Sequence, residues 1–198
     1  PSNAIFVIAG NVTIAEAQQL CTKWFAPIED HNVNKRIITK EPKQTQSRQV
    51  DLKANVPQNA IYKAYHMPGR ISNQYQVNDL LSDILGRGKS SLLHQFGVKK
   101  SQIFSSLSSY VTGSIDPGLM IISGRLSDNV TFENAEKTLA NSIQELIIQT
   151  SESLKKVKNM AVSSITFGEI NLLNRAISLA YSTNLGDTDL VNKEIDII

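Results

Sequence analysis

Residues 86–91, Gly-Arg-Gly-Lys-Ser-Ser, have the residue types of a phosphate-binding loop. In such loops, backbone amides at a helix N-terminus bind phosphate oxygens. A P-loop, however, requires a glycine five residues before its Gly-Lys pair, and this chain has Asp83 at that position. A P-loop also follows a strand, whereas the pattern before Gly86 predicts a helix. The sequence therefore favours a turn between two helices over a nucleotide site.

The residues that could bind a metal ion are poorly spaced for it. His31, His66 and His94 stand far apart, and none has a His, Cys or carboxylate at the spacing of a zinc motif. We interpret each as a solvated or packed side chain. The single cysteine, Cys21, cannot form an internal disulfide and is expected to fill a core. We expect no metal ligands and no cofactor in this chain.

No nucleophile stands out either. The serine-rich segment at residues 105–109 lacks the Gly-x-Ser-x-Gly turn that exposes a catalytic serine. Two sequons, at Asn11 and Asn129, coincide with predicted helix starts, where Asn and Thr are natural caps. The residues alone therefore predict no active site.

The elements that would position any site follow from periodicity. Apolar runs and alternation predict strands at 4–9, 50–54, 60–66, 104–111 and 119–126. Apolar spacing of three and four residues predicts helices at 13–25 and 72–85, and a third from Ser90 or Ser91 to about 96. From Thr131 onward, several apolar stripes predict further helix. A last helix is expected from Asp187 or Asp189. Strands followed by helices predict an α+β domain with a largely antiparallel sheet flanked by helices.

Composition excludes several classes of protein. The chain has 198 residues, 41% of them hydrophobic, and a formal charge of +2. No apolar run approaches the ~18–20 residues of a membrane-spanning helix. The polar segment 30–48 is basic but lacks interleaved aromatic residues, so we interpret it as a linker. We expect neither nucleic acid nor a membrane as a partner.

Four segments resemble, in order, one protein family. They are PSNAIFVIAGNVT (1–13), LLSDILGRGKSSLL (80–93), YVTGSIDPGL (110–119) and residues 180–194. Together they resemble the pitrilysin/insulinase-type zinc metallopeptidases, whose zinc site is an H-x-x-E-H motif. The resemblance covers nearly the whole chain.

The resemblance implies a domain organisation. Members have two similar α+β halves that close on the substrate, the first binding zinc and the second usually without metal. By this resemblance, residues 1–29 are the terminal strand and helix of the first half, 30–48 a linker, and 49–198 the truncated second half. H-x-x-E-H would lie upstream, so we expect zinc in the parent protein and no peptide hydrolysis by this fragment alone.

Two positions carry the family's substrate contacts. Many members have an Arg and a Tyr that hold the peptide near the zinc, and Gly97 and Phe104 correspond to them here. Gly97 offers no guanidinium. Phe104 is our candidate substrate-binding residue, and a place in the core is the alternative.

Two functional interpretations remain open. The chain is either the non-catalytic half of an active zinc endopeptidase, forming a wall of the substrate chamber and contacting extended peptide, or part of an inactive member that acts as a partner or scaffold subunit. Its partner is then the upstream zinc-binding half or a separate subunit. The resemblance also favours a periplasmic setting, because bacterial members are often exported.

The similarity of the two halves, which the resemblance implies, leads to one structural expectation. An unpaired apolar strand at residues 5–9 would leave its amides unsatisfied. We therefore expect residues 5–9 and the helix over 13–25 to dock on the second-half sheet, within the chain or swapped between two copies in a homodimer.

Overall fold

The computed structural model of the chain describes residues 3–30, 39 and 41–198, without the side chains of residues 147, 149 and 150. The chain divides into two compact units, Pro1–Asn55 and Val56–Ile198. Each unit is described here by itself.

The first unit contains one helix, α1, over Ile14–Trp24. Thr13 caps it: its hydroxyl accepts a hydrogen bond from the Glu16 amide at 3.2 Å, while the Glu16 carboxylate accepts one from the Thr13 amide at 2.8 Å. Hydrogen bonds from the Thr13 backbone and then its hydroxyl lower the pKa of Glu16. This reciprocal pair is a capping box, and it confirms the helix start that the sequence predicts at residue 13.

The strands expected at residues 4–9 and 50–54 are wrong, because both segments lack strand conformation. The sheet of the described residues has three strands, all from the second unit, so the expected pairing of residues 5–9 with it within one chain is also wrong. The exchange between two copies stays a prediction. An apolar sequence favours a strand only where a neighbouring edge supplies hydrogen bonds. In this chain, Phe6 instead packs its ring against Phe25, with centroids 4.7 Å apart.

The second unit is built on an antiparallel sheet. Its strands are β1 (Ala60–Met67), β2 (Phe104–Val111) and β3 (Gly118–Leu126), in the spatial order β1-β3-β2. Tyr62 pairs with Ser123, and Ser108 pairs with the same residue from the other side. The three strand predictions for this region and the α+β class are confirmed.

The described part of the second unit also contains four α-helices and one π-helix. They are α2 (Gln74–Gly86), a π-helix at His94–Lys100, α3 (Phe132–Gly168), α4 (Leu172–Asn184) and α5 (Leu190–Ile197). The helix expected from Ser90 or Ser91 to about 96 continues as the π-helix, where the Ser101 amide bonds to the Phe96 carbonyl at 3.0 Å. The first two apolar stripes after Thr131 lie on one continuous helix of 37 residues, α3, because no proline interrupts it. The third stripe, from Ile170 to Ala180, lies mainly on the next helix, α4.

The core lies between the sheet and the helices α2 and α3. Eight buried residues form its centre: Leu85, Leu93, Phe104, Leu107, Ile122, Leu126, Ala135 and Leu139. The backbone of α2 approaches β2 very closely, since a Cβ on Gly86 would lie 1.8 Å from the Ser109 amide nitrogen. Beside this contact the hydroxyls of Ser82 and Ser109 are hydrogen-bonded at 3.1 Å.

Within the described residues, the helices are too short or too polar to span a bilayer.

Candidate functional site

The two faces of the sheet differ in what they carry. Leu107, Ile122 and Leu126 are buried in the core beneath the helices. Side chains alternate along a strand, so the intervening residues lie on the opposite face. We call this second face the open face; it consists of Tyr62, Ala64, His66, Ser106, Ser108, Tyr110, Leu119, Ile121, Ser123 and Arg125.

Register places the open-face residues in rows across the strands. One row is Tyr62, Ser123 and Ser108, and the next is Ala64, Ile121 and Tyr110. The rings are accessible, because Tyr62 is 67% exposed and Tyr110 47% exposed. The open face is therefore a flat surface of tyrosine rings and serine hydroxyls.

The open face has groups that can bind a ligand. Hydroxyls donate and accept hydrogen bonds, and tyrosine rings offer large contact area at low entropic cost. Among the described strands, β1 has only β3 as a neighbour, so its other edge has backbone groups that can form further hydrogen bonds. Among the described residues, no group of three His, Cys, Asp or Glu side chains is placed to hold a metal ion.

Phe104, the candidate from the sequence, lies on the helix-covered face. It is 1% exposed and belongs to the core centre. A β-bulge explains its position. Phe104 pairs with Leu126, and Ser106, two residues further along β2, pairs with Arg125, only one residue further along β3. The extra residue, Ser105, turns Phe104 to the same face as Leu107. The buried position favours the core alternative, and a substrate role for Phe104 stays a prediction.

Gly97, the second position of the resemblance, lies directly against that ring. It is the buried residue of the π-helix. A Cβ there would come within 2.5 Å of Cδ2 of Leu107 and 3.3 Å of Cδ2 of Phe104. Gly97 and Phe104 are thus brought together, but inside the core.

The other residues considered for chemistry lie apart. His66 is exposed near the end of β1, His94 begins the π-helix, and His31 lies outside the described residues. Cys21 is only half-buried, so its expected core position is wrong: α1 has no buried residue in its own unit.

The Gly-Lys-Ser loop is a turn between helices, as the sequence favours. Both serine hydroxyls of the loop are engaged: that of Ser90 accepts from the Lys156 ammonium, and that of Ser91 donates to the Gly88 carbonyl at 2.7 Å. Arg87 forms an ion pair with Asp83 at 2.8 Å, one helical turn before it.

Residues 1–161 match the protein family described as the peptidase M16 inactive domain. The chain belongs to the M16 peptidase family. It matches the inactive C-terminal domain of these pitrilysin/insulinase-type zinc peptidases, which confirms the resemblance seen in the sequence.

Similar proteins agree with this membership. A curated relative, the zinc protease PqqE of Helicobacter pylori, is 27% identical over 151 residues, 74% of this M16 chain and 34% of the relative. The chain therefore spans about a third of that protein's length.

Solved structures share the fold. A protease from Helicobacter pylori superposes with a TM-score of 0.82 at 22% identity, over 96% of this chain and 47% of that one. An inactive peptidase domain from Bordetella parapertussis superposes with a TM-score of 0.61 at 20% identity, over 70% of this chain and 76% of that one. The periplasmic protease PqqL from Escherichia coli gives 0.65 at 13% identity, over 95% and 21% of the two chains.

The open-face tyrosines were not singled out from the sequence. Tyr62 and Tyr110 each lie in a predicted strand, but their rows depend on a strand order that pairs β1 with β3. The available signal was the alternation of Ser106, Ser108 and Tyr110 along β2.

Proposed function

We propose that this M16 inactive domain is the non-catalytic half of a zinc-dependent metalloendopeptidase, and that its open face forms a wall of the substrate chamber and contacts extended peptide. The observation that carries the proposal is the one-sided sheet: α2 and α3 cover the core face, while Tyr62 and Tyr110 remain exposed on the other. An exposed aromatic surface of this kind is typical of a binding surface.

The chemistry of the open face suits a peptide of varied sequence. Serine hydroxyls can donate to or accept from any backbone amide group, whatever side chains the peptide carries. The rings of Tyr62 and Tyr110 lie in adjacent rows, so they supply apolar contact without a closed, selective pocket. Such a wall would hold an extended chain weakly and leave the cleavage position to the zinc site.

The upstream half would supply what this chain lacks. Zinc bound by an H-x-x-E-H motif in the parent protein would provide the hydrolytic chemistry. The name zinc protease carried by the Helicobacter pylori relative supports this assignment. In this proposal, residues 1–29 belong to that upstream half and 30–48 link it to 49–198.

The first unit supports the need for a partner. α1 leaves several large apolar side chains exposed, including Leu20 at 48% and Trp24 at 62%. The proposed cover is the upstream half; exchange between two copies of the chain in a homodimer is the other arrangement that would cover these residues.

The test uses two tyrosines of the same strand that lie on opposite faces. Tyr62 lies on the open face. Tyr65 lies on the helix-covered face, where it pairs with Met120 of β3, and it is 43% exposed. Tyr62→Ser and Tyr110→Ser in the complete parent protein should lower kcat/KM for an unstructured peptide severalfold, with the zinc content unchanged. Tyr65→Ser is the matched control and should leave kcat/KM unchanged.

Equal effects of Tyr62→Ser and Tyr65→Ser would show that the open face has no special role. A parent protein without zinc and without activity would instead support the alternative, an inactive partner or scaffold subunit. Measuring zinc content beside peptide cleavage separates the two results.

A further inference from the structure

An arginine is held between two tyrosine rings at one end of the sheet. Arg70 follows the end of β1, and its guanidinium lies 5.4 Å from the ring centroid of Tyr75 on α2 and 4.8 Å from that of Tyr181 on α4. Both distances are within cation–π range. The Arg70 side chain therefore contacts both rings and joins the end of β1 to α2 and α4.

The backbone of the β2–β3 turn leaves room for Arg70 and the two tyrosine rings. Gly113, in the β2–β3 turn, has no side chain; a Cβ there would lie 2.9 Å from the Tyr75 hydroxyl and 3.3 Å from Nη1 of Arg70. The Arg70 amide donates to the Ser114 carbonyl at 3.1 Å, and Tyr181 makes a long hydrogen bond of 3.5 Å to the Gly113 carbonyl. The turn, the arginine and both tyrosines form one cluster.

Among the described residues, no side chain accepts a hydrogen bond from the Arg70 guanidinium, and no carboxylate lies within ion-pair distance of it. The carboxylate of Asp79 on α2 attracts it from a longer distance. Arg70 is only partly buried, so solvent reaches it. A guanidinium carries five N–H donors in a planar fork that matches a carboxylate.

We propose that Arg70, in cation–π contact with Tyr75 and Tyr181, is a binding site for a peptide carboxylate. Contact with both rings restricts the guanidinium before a ligand binds, so less side-chain entropy is lost when its fork engages two carboxylate oxygens. The carboxylate belongs either to a peptide C-terminus or to an Asp or Glu side chain.

This inference rests on the proposed function to the extent that the ligand is a peptide. The first measurement therefore needs no peptide. In an NMR titration of the 198-residue chain, N-acetylglycine should shift the Arg70 Nε–Hε signal, while N-acetylglycinamide, which lacks the carboxylate, should not. An equal shift with sulfate, or no shift with N-acetylglycine, would overturn the assignment.

The second measurement compares peptides by fluorescence anisotropy. Three unstructured peptides of the same length would carry a free C-terminus, an amidated C-terminus, or an amidated C-terminus with one internal Glu. Arg70→Gln should weaken binding of a carboxylate-bearing peptide about tenfold or more, and leave the fully amidated peptide unchanged. The free-acid and Glu peptides distinguish the two sources of the carboxylate.

Matched variants separate binding from structure. Arg175→Gln, an exposed arginine on α4, should change nothing, and Arg70→Lys should recover only part of the affinity because it lacks the fork. Binding of all three peptides without dependence on Arg70 would refute the carboxylate site and leave the open-face proposal intact. A shift with N-acetylglycine without any peptide binding would support the site and refute peptide contact.

Discussion

Phe104 and Leu107 have their side chains on the same face of the sheet although they are three residues apart in β2. A Cβ on Gly124 of the neighbouring strand would meet both, 2.8 Å from Cδ1 of each. Strict alternation would instead put Phe104 beside Ser106 and Tyr110 on the open face. Because of the bulge at Ser105, the Phe104 side chain fills the core instead of lying on the open face, where it could contact a ligand.

Replacement of Phe104 tests this position directly. Because Phe104 is buried among leucines and against Gly97, Phe104→Ala should lower the free energy of unfolding by about 3–5 kcal/mol. Chemical denaturation of the chain measures this change. A nearly unchanged unfolding free energy, together with a lowered kcat/KM in the parent protein, would instead establish the substrate role.

A methyl group at Gly124 should also destabilise the second unit. Gly124→Ala would push a Cβ into the Phe104 and Leu107 side chains, and we expect a cost of about 1–3 kcal/mol in thermal or denaturant unfolding. Gly168→Ala is the control, since a Cβ there has no atom within 4 Å. The double variant Gly124→Ala with Phe104→Leu should lose less than the sum of the single changes, and strict additivity would contradict the contact.

Asp79 on α2 should give the chain a pH-dependent stability. Burial raises its pKa and repulsion from Asp83 adds to this, while Arg70 and Arg87 oppose it. Since the folded-state pKa is the higher one, the stability contributed by protonation is present at low pH and is lost as pH rises through the folded pKa. Asp79→Asn should therefore raise the melting temperature at neutral pH, by an amount that shrinks toward pH 4.

An exposed carboxylate provides the control for that measurement. Asp116 is exposed in the β2–β3 turn, so Asp116→Asn should leave the melting temperature at neutral pH unchanged. An Asp79→Asn variant that melts below the wild-type chain at neutral pH would show that attraction to Arg70 outweighs burial.

Metal analysis tests the expected absence of zinc. His66 and His94 occur in different elements, far apart in sequence, so the purified chain should retain no stoichiometric zinc after dialysis and should cleave no unfolded peptide. One zinc per chain that is lost on replacing two of the three histidines would refute this expectation.

Local patterns made much of the fold predictable. The Thr13 and Glu16 spacing specifies a cap without reference to the rest of the chain, and alternation gave the three strands of the sheet. The pattern at residues 4–9 gave a strand that is not formed, because pairing depends on a partner edge. The bulge at Ser105 was not predicted, although the spacing of three between Phe104 and Leu107 breaks the period of two.

The candidate site depended on contacts between distant parts of the chain. Arg70 and Tyr181 have no sequence signal that relates them, and they meet only because α4 follows the long α3. The family resemblance, in contrast, was visible from segments in order, each weak by itself.

Helix α3 is much longer than the sheet beneath it. At ~1.5 Å per residue its 37 residues extend about 55 Å, against about 30 Å for a nine-residue strand. Its buried residues include Ala135, Leu139, Ser142 and Val157, while Phe167 near its end is 70% exposed. The helix thus extends past the sheet, where Val157 packs against Leu80, Ile84 and Leu92 instead of against strands. The chain returns to the end of the sheet through α4, where Tyr181 meets Arg70.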